Sequence, residues 1–183
     1  MQASLFAPVY PPGFSLYEDF LSPEEEARLL AWARGLDVGP YVMRGQASLR
    51  RIRPFGPGYG GGRPDPLPFP EELVGVRARA AAKIGADPAS FVQAIASFYP
   101  TGAGIGWHRD LPLFGPIVLG MSLLSPARMR LRRRDDHAVS TDVVLQPRCL
   151  YVIGGEARTH WEHHLPGVKA DRWSITLRTL RSG

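Results

Sequence analysis

The sequence predicts an α+β fold in which a double-sheet jelly roll is covered on one sheet by N-terminal helices. Two helical segments precede residue 90, whereas the chain from Phe91 onward consists of short apolar runs separated by turns. Many short strands joined by turns are typical of jelly rolls. A chain of 183 residues suits one domain. We therefore expect a single domain over 1–183, with helices and a lid loop in 1–90 and the jelly roll in 91–183.

The helical segments begin and end at recognisable residues. Ser22 can cap a helix that has proline first and acids in its first turn, which predicts a helix from Pro23 to Arg34 that stops at Gly35. A second helix fits Pro70 to Ile84, followed by Gly85, because apolar residues recur on one face. That face comprises Leu73, Val76, Ala80 and Ile84.

Six strands are expected after residue 90. They are Phe91–Tyr99, Ile117–Leu124, Arg128–Arg133, Val143–Leu145, Leu150–Ile153 and Arg172–Leu180. In the first of them Gln93, Ser97 and Tyr99 share one face, because side chains alternate along a strand. Polar groups on an inner face favour a barrel that holds a ligand over a dry core.

Composition limits the environment of the protein. The one cysteine, Cys149, excludes an intramolecular disulfide and lies before an apolar strand, so a buried core residue is favoured over a nucleophile. The chain has no apolar run of about 18 residues and no recognisable signal sequence. We expect a cytoplasmic monomer in a reducing compartment, without a membrane partner.

The charge is weak evidence about partners. The formal net charge is +5 and the pI is near 9.8, with arginine supplying almost all positive charge. Such a chain favours nucleic acid or another polyanion as partner, because phosphate contacts dominate nonspecific affinity. An arginine bias can equally reflect a genome of high GC content.

A candidate metal site is divided between two segments. His108 and Asp110 are two residues apart, so in extended backbone both can reach one ion while Arg109 points away. The candidates for a third ligand are His163, His164 and His160. Two imidazoles and one carboxylate leave positions open on an octahedral ion, which favours a non-haem Fe(II) oxygenase over structural zinc. The alternative for His108 and Asp110 is a surface pair in a turn.

The last strand carries a second pattern. Its polar face consists of Arg172, Ser174, Thr176 and Arg178, opposite an apolar face. Such a face is usually solvated, but an arginine fork also matches a carboxylate bidentately. A diacid that chelates iron at one end would need its far carboxylate held in this way. The candidate diacid is 2-oxoglutarate.

These segments, in this order, resemble the AlkB-like Fe(II)/2-oxoglutarate dioxygenases. The match covers about residues 90–180 and consists of His108-x-Asp110, Trp161-x-His163-x-Leu-Pro166 and Arg172-x-Ser-x-Thr-x-Arg178. Ser97-Phe-Tyr99-Pro-Thr-Gly102 is similar to the Asn-x-Tyr-x-x-Gly segment of that family, with Ser97 in place of its asparagine.

The resemblance implies a double-stranded β-helix fold with Fe(II) as cofactor and 2-oxoglutarate and O2 as cosubstrates. It selects His163 over His164 as the metal ligand beside His108 and Asp110. It also implies that 2-oxoglutarate is held by the polar side chains of two strands. These are Arg172, Arg178, Tyr99, Ser97, Ser174 and Thr176.

Substrate contacts are expected from a Gly/Pro/Arg-rich stretch between the helices, 50–63, which we interpret as a loop. It could form a basic, aromatic lid over a flipped base, or it could be an ordinary mobile surface loop. The candidate substrate contacts are Arg50, Arg51, Arg53, Phe55, Tyr59 and Trp107. A further run, Arg130, Arg132 and Arg134, could grip phosphates or form a charged hairpin edge.

The resemblance implies oxidative N-demethylation of alkylated nucleic-acid bases as the activity. Nucleic-acid dealkylases often place further acids after His-x-Asp, whereas this chain has Leu111-Pro-Leu-Phe-Gly-Pro116. That difference favours an alternative, a dioxygenase of the same family acting on protein side chains or a small molecule. A third possibility is an inactive nucleic-acid-binding module, against which the intact ligand set argues.

Overall fold

The computed structural model describes residues 10–43, 46–57 and 67–181, and within them the side chains outside 41–47. Eleven strands and three α-helices are present in these ranges. The strands are β1 (Phe14–Tyr17), β2 (Gly39–Met43), β3 (Gln46–Phe55), β4 (Phe91–Tyr99), β5 (Ile105–His108), β6 (Phe114–Leu123), β7 (Ala127–Arg133), β8 (Ser140–Leu145), β9 (Leu150–Ile153), β10 (Trp161–Leu165) and β11 (Arg172–Leu180). The helices are α1 (Pro23–Arg34), α2 (Val74–Lys83) and α3 (Gly155–Thr159).

The strands form two antiparallel sheets. The larger has seven strands in the order β1-β9-β6-β11-β4-β3-β2, and the smaller has four in the order β5-β10-β7-β8. The expected double-sheet jelly roll is confirmed, and helices α1 and α2 pack on the larger sheet. No helix within 10–43, 46–57 and 67–181 is long and apolar enough to cross a membrane.

Helix α1 has the bounds that its sequence predicts. The Ser22 hydroxyl accepts a hydrogen bond from the Glu25 amide, and the Glu25 carboxylate accepts one from the Ser22 amide. This reciprocal capping box satisfies two amides that the helix itself leaves unpaired. Helix α2 begins after a short 3-10 turn at Glu71–Leu73, so the segment predicted as one helix has two parts.

Two separate apolar clusters occupy the two faces of the larger sheet. The first lies between that sheet and the helices, where Leu29 of α1 and Val76 of α2 meet Ile175 and Leu177 of β11. The second lies between the sheets and includes Val118, Leu131 and Tyr151. Strand β11 separates the clusters, which is why its apolar and polar residues alternate so strictly.

Residues 50–55 form a strand, not a loop, and the prediction of a lid there is wrong for this part. Strand β3 pairs antiparallel with β4, with Arg51 opposite Phe98 and Phe55 opposite Ala94. In the sequence, the Gly/Pro-rich residues that follow 46–55 obscured the alternation of side chains that is typical of a strand. Because β1, β2 and β3 all join the larger sheet, the jelly roll also extends well before residue 91.

Gly56 provides a test of this placement. Its φ is +74°, and a Cβ there would lie 2.1 Å from the Val92 carbonyl oxygen. We expect Gly56→Ala to lower the free energy of unfolding by about 1–3 kcal/mol, because it combines backbone strain with a clash. Denaturant unfolding would measure the change. Gly39→Ala is the control, since a Cβ there meets nothing within 4 Å; equal losses in the two variants would contradict the β3 placement.

Candidate active site between the sheets

A cavity of about 40 Å³ lies between the two sheets and has a strongly polar lining. Strands of both sheets contribute to it, and the residues that could hold a metal face those that could bind an acid. The polar and charged lining residues are His108, Asp110, His163, Arg50, Arg172, Arg178, Tyr99, Tyr151 and Thr176.

The two histidines of the candidate metal site come from paired strands. His108 ends β5 and lies directly opposite His163 of β10, with their ring centroids 4.2 Å apart. Asp110 follows β5, and its Oδ2 lies 4.0 Å from His163 Nε2. The fold therefore brings together the three side chains that the sequence identified as candidate ligands.

The neighbouring histidines lie elsewhere. His164 is on the opposite face of β10, where its ring centroid is 5.1 Å from that of Trp107. His160 is exposed beside Thr159. Of the three, His163 is the one that lines the cavity, which supports the choice made from the sequence.

Hydrogen bonds orient the candidate ligands. His108 Nδ1 lies 2.8 Å from the Gly106 carbonyl oxygen, which can only accept, so this nitrogen carries the proton and Nε2 keeps a lone pair. Arg178 Nε donates to Asp110 Oδ1 over 2.5 Å, and Arg178 Nη1 donates to Gln93 Oε1 over 3.2 Å. Gln93 is fully buried. This chain of contacts ties the Asp110 carboxylate to the larger sheet.

The protonation states of these groups suit metal binding. Burial and the proximity of His108 lower the pKa of His163 to about 3. Burial also lowers the pKa of His108. Burial opposes ionisation of Asp110, but the Arg178 charge prevails and holds the pKa of this carboxyl well below its usual range. At neutral pH the site thus has two neutral imidazoles and a carboxylate, the forms that metals require.

His108, Asp110 and His163 are residue types that bind metal ions, but the distances between their side chains are too long for one ion in this structure. Among the described residues no three His, Cys, Asp or Glu side chains are grouped so that they could hold an ion. Neighbouring ligand atoms about 2.1 Å from an octahedral ion are about 3 Å apart, whereas Asp110 Oδ2 and His163 Nε2 are 4.0 Å apart. These two atoms would have to approach each other by about 1 Å to bind one ion as neighbouring ligands.

The two arginines of β11 differ in their contacts. Arg178 forms a 2.5 Å ion pair with Asp110, so a candidate metal ligand neutralises the Arg178 charge. Arg172 is 1% exposed; its Nε donates to the Ser122 hydroxyl over 3.2 Å, and its guanidinium carbon lies 5.1 Å from the Tyr99 ring centroid. The sequence left both arginines open as the partner of a far carboxylate, and these contacts favour Arg172.

The other predicted cosubstrate residues divide into two groups. Tyr99 and Thr176 line the cavity. Ser174 is hydrogen bonded to Tyr99 and supports it, whereas Ser97 lies opposite Ser174 in the sheet, buried between strands. Ser97 and Ser174 are outside the cavity lining, so their predicted contact with 2-oxoglutarate would be indirect.

Tyr151 is a lining residue that the sequence analysis missed. Its ring crosses Gly120 of the neighbouring strand, where a Cβ would lie 2.0 Å from a ring carbon. Burial raises the pKa of Tyr151 to about 12, so the phenol stays neutral, and it is hydrogen bonded to Thr176. The alternation of Tyr151 with Ile153, which also lines the cavity, could have identified it.

Arg158 was also missed, because it does not touch the cavity. Its guanidinium donates to the carbonyl oxygens of Asp110, Leu111 and Phe114 at 3.3, 3.1 and 3.2 Å. Arg158 lies on α3, immediately before the strand that carries His163. It therefore holds the main chain at Asp110 against the element that positions His163.

Most of the residues on β3 that were predicted to contact substrate point away from the cavity. Arg50 lines the cavity, but side chains alternate, so Arg51, Arg53 and Phe55 point to the helix side. Phe55 is buried there against Trp32, and Arg53 lies 3.9 Å from Asp37. Tyr59 is outside the described residues.

Trp107 does not line the cavity either, because it alternates with His108 and faces the outside of the smaller sheet. The Arg132 guanidinium carbon lies 4.0 Å from its ring centroid. On the same sheet Arg128 pairs with Asp142 and Arg132 with Glu162. Strand β7 lies between β10 and β8, so the interpretation of the arginine run as a hairpin edge is wrong, although acids on the neighbouring strands pair with these arginines.

Gln93 offers a test of how Asp110 is positioned. We expect Gln93→Leu to weaken Mn(II) binding about tenfold or more, because Arg178 loses an acceptor and no longer holds Asp110 in place. Isothermal titration would measure the affinity. Ser97→Ala is the control, since Ser97 is buried on the same strand face but lies opposite Ser174, whereas Gln93 lies opposite Arg178. Equal affinities for Gln93→Leu and the unmodified protein would contradict this role.

Comparisons with known proteins agree with this geometry. The family model of the 2OG-Fe(II) oxygenase superfamily matches residues 61–181. An Arabidopsis thaliana protein, the alkylated DNA repair protein ALKBH8 homolog, is 27% identical over 210 residues, which cover 93% of this chain and 59% of that protein. The chain thus spans less than two thirds of the length of this relative. The uncharacterized protein L905 of Acanthamoeba polyphaga mimivirus is also 27% identical, over 92% of this chain and 85% of its own length.

Two solved structures share the fold. OsALKBH1 superimposes with a TM-score of 0.75 at 19% identity, covering 93% of this chain and 100% of that one. A prolyl-4-hydroxylase of Pseudomonas putida gives a TM-score of 0.68 at 18% identity, over 92% and 93% of the two chains. The family match extends over most of the chain and includes all three candidate ligands and both arginines of β11. This chain therefore belongs to the 2OG-Fe(II) oxygenase superfamily.

Proposed function

We propose that this dioxygenase removes alkyl groups from the nitrogens of nucleic-acid bases. The observation that carries the proposal is the match, over 93% of the chain, to a relative named as an alkylated DNA repair protein. The cavity supports it, since candidate iron ligands and an arginine for a diacid line the same space. The net charge of +5 is compatible with a polyanionic partner.

Each lining residue then has a proposed role. His108, Asp110 and His163 would hold Fe(II), and Arg172 would pair with the far carboxylate of 2-oxoglutarate. When bound, the iron supplies the activation of O2. One oxygen atom ends in succinate, formed with loss of CO2, and the other hydroxylates the N-alkyl carbon. The resulting hemiaminal breaks its C–N bond, releasing an aldehyde and the unmodified base.

The second candidate function is oxidation of a protein side chain. Two observations favour it: the fold is shared with a prolyl-4-hydroxylase, and the residues after Asp110 are apolar or small. Leu111 and Leu113 in this segment are 51% and 49% exposed. Such a surface could contact a peptide. Formation of succinate without release of aldehyde would favour this alternative.

Adjacent histidines on β10 make a matched test of the iron site. We expect His163→Ala to reduce Fe(II)-dependent formation of succinate at least about a hundredfold, because it removes a metal ligand. We expect His164→Ala to retain most of the rate, since this side chain faces the other side of the sheet. Succinate and formaldehyde would be followed together with a methylated oligonucleotide. Loss of activity in His164→Ala alone would contradict the ligand assignment.

Arg172 provides a separate test of the cosubstrate site. We expect Arg172→Gln to raise the KM for 2-oxoglutarate about tenfold or more, because a buried charge-assisted hydrogen bond to the carboxylate is lost. Mn(II) affinity should change little, since Arg172 does not touch Asp110. Arg130→Gln, on the outer face of the smaller sheet, is the control. An unchanged KM for 2-oxoglutarate in Arg172→Gln would exclude this role.

A further inference from the structure

Three adjacent strands place Thr176, Gly120 and Tyr151 in one row on the cavity floor, the side of the cavity that the larger sheet forms. Thr176 of β11 lies opposite Gly120 of β6, and Gly120 lies opposite Tyr151 of β9. Thr176 and Tyr151 both line the cavity. The middle position of this row has no side chain, so Tyr151 can extend across it toward β11.

The Tyr151 phenol fills the space above Gly120. A Cβ at Gly120 would overlap both the Cζ atom and the hydroxyl oxygen of Tyr151. The hydroxyl end of the ring therefore occupies the place of the missing side chain. Tyr151 is buried, and its hydrogen bond to Thr176 crosses β6. The ring is thus fixed at one end by the main chain of β9 and at the other by β11.

This row lies between the two ends of the proposed cosubstrate site. Arg172, Thr176 and Arg178 follow one another on the same face of β11, with Thr176 between the two arginines. Arg178 pairs with the candidate metal ligand Asp110 at one end, and Arg172 is proposed to hold the far carboxylate at the other. A diacid bound at both ends would therefore pass over Thr176 and the Tyr151 ring.

A longer diacid could fit between the same two ends only if its chain bowed sideways. Hydrogen bonds hold the side chains of Arg172 and Asp110 in place, so the two ends keep their separation. Tyr151 closes the floor between them, and Met129 and Leu165 of the smaller sheet are buried on the other side of the cavity. Closely packed side chains resist the displacement that an added methylene would require.

We propose that Tyr151 is a specificity-determining residue for the cosubstrate, and that its ring above Gly120 limits the oxo diacid to the chain length of 2-oxoglutarate. The inference rests on the proposed positions of the metal ligands and of Arg172, and it concerns the cosubstrate instead of the alkylated substrate. A smaller side chain at position 151 would open the space above Gly120 to a diacid with one more methylene. Removal of the hydroxyl alone would leave the ring in place.

The test compares 2-oxoglutarate with 2-oxoadipate, which is one methylene longer. Isothermal titration of the Mn(II)-loaded protein measures the affinity for each, and competition between the two diacids shows that they share one site. We expect the unmodified protein to bind 2-oxoglutarate at least about tenfold more tightly, because a misfit of one methylene in a packed pocket has an effect of about this size. No nucleic acid is needed, so the result is independent of the dealkylase function.

Variants of neighbouring residues on β9 assign the selectivity. Tyr151→Leu should bring the two affinities within about threefold of each other, because it removes the ring. Tyr151→Phe should keep the preference, since only the hydroxyl is lost. Val152→Ala is the matched control, because Val152 belongs to the apolar cluster on the opposite face of the larger sheet. Thermal unfolding shows which variants are folded, and Tyr151→Met replaces Tyr151→Leu if the latter is not.

Each outcome decides the inference. A preference for 2-oxoglutarate that is lost in Tyr151→Leu but kept in Tyr151→Phe and Val152→Ala would support it. Equal affinities in the unmodified protein, an unchanged preference in Tyr151→Leu, or loss of the preference in Tyr151→Phe would overturn it and leave the proposed cosubstrate site intact. Affinity for 2-oxoglutarate that is unchanged in Arg172→Gln would overturn the proposed cosubstrate site and this inference with it.

Discussion

The ion pair between Arg178 and Asp110 is the contact on which the site depends. It joins the larger sheet to the loop that follows β5 of the smaller sheet, and its side chains are only 12% and 5% exposed. Breaking a buried pair by removing one partner typically costs about 3–5 kcal/mol, because the other charge is left uncompensated. The pair therefore fixes a candidate metal ligand and helps hold the sheets together at the cavity.

Two further contacts hold Arg178 and Asp110 in position. Gln93 accepts from the other end of the Arg178 guanidinium, and Arg158 holds the Asp110 main chain through its carbonyl oxygen. The larger sheet thus restrains the Asp110 side chain, and α3 restrains the Asp110 backbone. Pre-organisation of this kind holds a candidate metal ligand in position before the metal binds.

Much of the site could be predicted from sequence because its residues follow local patterns. The alternation of Arg172 to Arg178 determines which side chains enter the cavity, and the spacing of His108 and Asp110 places both beside β10. Strand β3 was missed because glycines and prolines after Phe55 mask its pairing with β4, a contact distant in sequence. Arg158 could not be found in this way, since its role depends on three backbone carbonyls that only the fold brings near. The orientation of Arg50 likewise depends on β3 being a strand.

Arg178 thus positions a candidate metal ligand, whereas Arg172 is proposed to bind the cosubstrate. A crystal structure of the protein with Mn(II) and 2-oxoglutarate, with the metal located by anomalous scattering, tests this assignment most directly. We expect Mn(II) to be bound by His108, Asp110 and His163, with the far carboxylate of 2-oxoglutarate on Arg172 and Arg178 still paired with Asp110. Mn(II) bound by other residues, or the far carboxylate bound by Arg178, would contradict it.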